Sequence, residues 1–123
     1  MGRLDDKFEE VLEARGELRE RLLVQEEAKL AAQKVMDIFK YTIDGLDVQS
    51  VLMSEGCNGM CSFSVQAPDG EFRKYELSDR LSKALEAANG RLTRKVRKTM
   101  LELLEKYFDI RPGASGTVIS MKN

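Results

Sequence analysis

Cys61-Ser62-Phe63-Ser64-Val65-Gln66-Ala67 alternates apolar and polar residues with the period of two that belongs to a β-strand. Cys61, Phe63, Val65 and Ala67 fall on one face of the strand, and the two serines and the glutamine fall on the other. One face must be covered and one is expected to be wet. Pro68-Asp69-Gly70 follows with turn chemistry, proline fixing one φ angle and glycine free to take a positive one. Glu71–Leu77 is therefore expected to return beside Cys61–Ala67 as a hairpin partner. Val48–Met53 reads as an earlier strand, so Val48–Leu77 forms a three-stranded meander between long helical segments. Ser54–Met60 is its connecting loop, with two glycines and no periodicity.

Upstream, Leu4–Ile43 has no proline, one internal glycine and many Glu, Lys, Arg, Ala and Leu residues, which predicts a helix. Leu4, Phe8, Val11, Leu18 and Leu22 recur three, four and seven apart, and the stripe continues at Ala28, Ala32, Val35 or Met36, and Phe39. Arg15, Gln25 and Lys29 interrupt it, which is too polar for a strict coiled-coil seam throughout. Gly16 is the expected kink or break, since glycine inside a helix costs about 1 kcal/mol relative to alanine. A helix of this length would run to roughly 60 Å and overshoot the body of the domain. Residues 1–22 are accordingly expected to project or dimerise, with Phe8, Val11, Leu12, Leu18 and Leu22 as the contact, and residues 23–123 to form a single α+β domain. Asp44-Gly45 is expected to cap the helix in the left-handed conformation.

Downstream, Ser78 is a predicted N-cap with Asp79 in the first turn, and Leu81, Ala84, Leu85 and Ala88 form a buried stripe. Asn89-Gly90 should end this helix by left-handed capping. A second helix bearing Leu92, Val96, Met100, Leu103 and Tyr107 carries helical structure on to Ile110. Arg111–Gly116 breaks it, and Thr117–Met121 reads as a last strand. The predicted order is α-β-β-β-α-α-β: an α+β fold with a four-stranded, mostly antiparallel sheet covered on one face by helices, and a long N-terminal helix.

The 123 residues suit one domain, and 42% hydrophobic with 33% charged residues describes a globular chain with a charged outer surface. No stretch approaches the roughly twenty apolar residues of a membrane helix, and the opening residues lack an apolar signal core, so the cytoplasm is the expected compartment. Net charge is −1, but residues 1–45 carry 8 basic against 11 acidic side chains, residues 46–77 carry 2 against 5, and residues 78–123 carry 10 against 5. That asymmetry fits either a nucleic-acid face or pairing of a basic helix with an acidic one.

Histidine is absent, which removes the most frequent general base and metal ligand. Cys57 and Cys61 are a candidate redox pair, yet three intervening residues are not the two of thioredoxin-like motifs, and a buried packing role for Cys61 is the simpler reading. Two cysteines alone make no zinc site. Gly56-Cys57-Asn58-Gly59 lies between strands, with no helix start following it to present amides to a phosphate. Arg91, Arg94, Lys95, Arg97 and Lys98 crowd a helix start and oppose its dipole, so an anionic neighbour is expected. The acidic N-terminal helix ranks first as that neighbour and nucleic acid second. The functional expectation is a non-enzymatic protein–protein interaction or adaptor module, without cofactor or metal, that forms a homodimer through its N-terminal helix. Nucleic-acid binding through residues 91–98 is the alternative, and a thiol-responsive protein using Cys57 and Cys61 is the second.

Overall fold

A computed structural model describes the backbone of residues 2–66, 72–73 and 77–122, and the side chains among them from residue 10 onward except 72 and 73. Helix α1 is Gly2–Ile38, followed by β1 (Thr42–Ile43), β2 (Leu46–Asp47) and β3 (Ser50–Glu55). A 3-10 turn at Cys57–Gly59 leads to β4 (Met60–Gln66) and β5 (Phe72–Arg73). Then come α2 (Asp79–Ala88), β6 (Gly90–Arg91), α3 (Arg94–Leu104), β7 (Phe108–Gly113) and β8 (Gly116–Met121). The protein is α+β, with all strand pairs antiparallel.

The alternating row places the sheet's covered face where its period requires. Cys61, Phe63 and Val65 are buried, and Phe63 and Val65 stand opposite Met53 and Val51 of β3, which are buried too. Ile119 of β8 extends the row from the other side of β3. Ala28, Ala32, Val35 and Ile38 of α1, Leu81 and Leu85 of α2, and Val96, Met100 and Leu104 of α3 close over it in one core. The opposite row is not wholly wet, because Ser50, Leu52 and Ser64 are buried and the Ser50 and Ser120 hydroxyls bond each other at 2.8 Å. The Pro68-Asp69-Gly70 turn and the inward placing of Ala67 lie outside the described residues. The returning strand is seen as β5, with Arg73 opposite Val65.

The main sheet runs β5-β4-β3-β8-β7, with β6 also pairing β4, so the expectation of four strands is corrected. The main addition is β7. Helix α3 ends at Leu104, and Phe108–Gly113 pairs with β8 although it contains Pro112. Among the described residues only β8 flanks β7, and an edge strand can leave one amide position empty, which is where a sheet accepts proline. Tyr107 lies beyond the helix and is exposed. A Cβ on Gly116 would run into the Met53 carbonyl oxygen, so glycine lets β8 lie against β3.

Three further expectations are corrected. Asp44-Gly45 does not cap α1, which stops at Ile38; both residues take positive φ, 53° and 81°, and form the two-residue turn of the β1–β2 hairpin. Asn89 is extended, at φ −65° and ψ 140°, and the chain passes straight into β6. Helix α1 runs through Gly16 without a break. Ser78 caps α2 as expected, and Thr93 caps α3, their hydroxyls accepting from the amides of Leu81 and Val96.

Asn89 does more than end α2. β5 covers the outer edge of β4 at Val65 and Gln66, β6 covers it at Met60 and Cys61, and the amide of Phe63 between them donates to Asn89 Oδ1 at 2.8 Å. Asn89→Ala would leave that inner amide without its partner and is expected to cost about 1–3 kcal/mol. Urea unfolding, with an unchanged m-value, is the measurement; a loss under about 0.5 kcal/mol would show that water replaces the side chain freely.

Candidate functional site

Two groups of residues stand out against this frame. The first is the cation cluster at the start of α3, whose first turn carries no acidic residue. Lys95 Nζ reaches Glu20 Oε1 of α1 at 2.9 Å, so the acidic helix does meet the cluster at one position. Arg97, the least exposed of the five, bonds through Nε to Glu55 Oε1 at 3.1 Å, at the end of β3. Among the described residues, Arg91, Arg94 and Lys98 have no carboxylate in ion-pair range. The hydrogen bond from Lys95 holds the Glu20 carboxyl below its usual range, its charge acting in the same direction. A depressed carboxyl stabilises the fold above its unfolded pKa and loses that effect as pH falls through the folded one. The pair is exposed and salt-screened, so it adds little to the packing of α3 on α1 that the shared core provides.

The structure brings Arg91, Arg94 and Arg97 to one open cleft of about 540 Å³ with Glu55, Gly56, Asn58, Gly59, Leu92 and Thr93. Sequence spacing hid this arrangement. A helix start does reach the Gly56–Gly59 loop, but it belongs to α3, more than thirty residues later, rather than to the next element. The join is tight: the Leu92 amide donates to the Gly59 carbonyl at 3.0 Å, and Gly59 has φ +75° with room for a Cβ only 3.0 Å from the Leu92 oxygen. Asn58 beside it is also left-handed, at φ 58°.

Both cysteines are free thiols. Cys57 is exposed on the 3-10 turn and Cys61 is buried in β4, its thiol near the Gly59 carbonyl at 3.7 Å. Burial pushes the Cys61 thiol up, against the pull of the Arg97 guanidinium, which disfavours the thiolate needed for exchange chemistry. Among the described residues no group of three or more acidic or cysteine side chains is placed to hold a metal, and no helix is long and apolar enough to cross a membrane.

The second group is on α1. Val11, Leu12, Leu18, Leu22 and Leu23 are 50–57% exposed, and Leu30, further on, is 65% exposed. Phe8 lies among the residues whose side chains are outside the description. At 100° per residue, Val11, Leu18 and Leu22 point about a third of a turn away from Val24, Ala28 and Val35, which face the core. The exposed row is therefore a separate face rather than an extension of the buried stripe. α1 and α3 run in the same direction: Glu20 meets Lys95, while Ala32, Gln33 and Met36 line a groove with Leu103 and Tyr107. The exposed row begins well before the first residues of α3.

Among known proteins, the chain matches no family model, and no similar curated protein or solved structure is found.

Proposed function

We propose that this protein is a non-enzymatic interaction module that self-associates through the first half of α1, residues 1–22, and carries residues 23–123 as its folded body. The observation that supports this reading is the row of half-exposed Val11, Leu18 and Leu22 on a helix face turned away from the protein's own core. Large apolar side chains repeated along one helix line mark a docking face. The compartment in this reading is the cytoplasm, which suits two free thiols, one of them exposed. Size-exclusion chromatography with light scattering on the full chain tests it. A dimer that becomes a monomer when residues 1–22 are removed is expected; a monomer at tens of micromolar, unchanged by that deletion, refutes it.

The arginine cleft favours a second reading, binding of a nucleic-acid backbone, because Arg91 and Arg94 stand in it without an acidic partner among the described residues. Binding of this kind falls steeply with salt, by roughly a decade or more over a fourfold rise if three or four phosphates are engaged. Arg91→Glu with Arg94→Glu is expected to abolish any such binding and to leave the melting temperature unchanged, since both side chains are exposed. Fluorescence anisotropy with labelled DNA and RNA at two salt concentrations checks this. Binding that persists in the double variant would place the contact elsewhere.

A further inference from the structure

The exposed face of α1 constrains how two copies meet, an inference that rests on the self-association proposed above. The sequence from Asp5 to Glu13 carries five carboxylates and one cation, Lys7, whereas Arg15–Arg21 carries three arginines and two glutamates. One of those glutamates, Glu20, is already occupied by Lys95 of its own chain. The helix thus has an acidic first stretch and a basic second stretch, one directly after the other.

A second feature is Arg15. It lies on the same helix line as Val11, Leu18 and Leu22, four residues after the first and three before the second. In a parallel pair at equal register, each seam residue meets its own copy, so Arg15 would be held against Arg15, and the acidic stretches would lie side by side. Like charges facing each other across a seam disfavour that pairing.

We propose that the two α1 helices pair antiparallel, with Glu13 near the twofold axis. In that register Arg15 of one copy lies against Val11 of the other, where its stem packs and its guanidinium reaches out towards the acidic stretch of the second copy. The Asp5–Glu13 stretch of each chain then runs along the Arg15–Arg21 stretch of the other. The contact is closed and self-complementary, and it sets the two folded bodies at opposite ends of the paired segment.

The test is a spin-label distance in the full-length protein. Glu26 is exposed and lies outside the paired segment, so Glu26→Cys combined with Cys57→Ser gives one accessible label per chain, Cys61 being buried. With 1.5 Å per residue and thirteen residues from the axis to each label, the antiparallel pair places the two labels about 40 Å apart. A parallel pair places them within roughly 20 Å, from an interaxial distance of 8–10 Å plus the label arms. Pulsed electron–electron resonance on a sample shown by light scattering to be dimeric is expected to give the long distance. A dimer with the short distance overturns the antiparallel pairing while leaving self-association intact. A labelled and an unlabelled chain that are both monomeric overturn the self-association and this inference together.

Discussion

Phe63→Ala is expected to lower the free energy of unfolding by about 3–5 kcal/mol, the range for emptying a phenylalanine site in a close-packed core. Phe63 is 1% exposed and sits in the middle of β4, opposite Met53, with helices closing over that face. Its strand is held by β3 on one side and by β5, Asn89 and β6 on the other, so the backbone has little freedom to collapse into the space. Total stabilities of about 5–15 kcal/mol make this a large fraction of what holds the domain together. A urea titration should show the midpoint falling with little change in m. A loss below about 1 kcal/mol would mean that the alternating row does not form the covered face.

The second large effect concerns assembly. Leu18→Glu with Leu22→Glu is expected to weaken self-association by a hundredfold or more and to leave the melting temperature of the body unchanged. Full burial of a leucine is worth about 1.5–3 kcal/mol. Both leucines are already near half-buried in one chain, at 57% and 54% exposed, so each gains about half of that on pairing. Four leucines per dimer then contribute about 3 kcal/mol or more, before the added carboxylates repel the acidic stretch of the second copy. The substitutions sit on an exposed helix face, where changes usually stay within about 0.5 kcal/mol of neutral for the fold. Light scattering across a dilution series and a thermal melt measure the two parts. An unchanged dimer with intact melting would move the interface off this row.

The period-two row at residues 61–65 was legible because burial enforces it: a slip of one residue would turn Phe63 and Val65 to water. The cap at Ser78 was legible for a similar reason, since a hydroxyl at that place satisfies an amide that the helix cannot. Asp44-Gly45 misled because the same dipeptide serves helix ends and hairpin turns, whereas Asn89-Gly90 does stand at the end of α2 but in an extended rather than a left-handed conformation; a tertiary partner decides each case. For Asp44-Gly45 that partner is the short β2 strand, and for Asn89 it is the Phe63 amide. Pro112 read as a break because nothing in the sequence marks β7 as an edge. On the candidate site, the five cations and the exposed leucines were found by type and spacing. Their division into Lys95 with Glu20, Arg97 with Glu55, and Arg91 and Arg94 in a cleft was not, since each partner comes from another element.

The pairing of β3 with β8 also sets a pace. Ser50 and Ser120 touch across seventy residues of intervening chain, while β3 and β4 are joined by a short turn. Closing the long loop costs entropy before any pairing returns it, so the β3–β4 hairpin is expected to form before β8 arrives. Until then one edge of β3 is bare, with Val51 and Met53 uncovered on that side, and two such intermediates can zip together edge to edge. Refolding yield is therefore expected to fall with protein concentration even where the finished fold is stable.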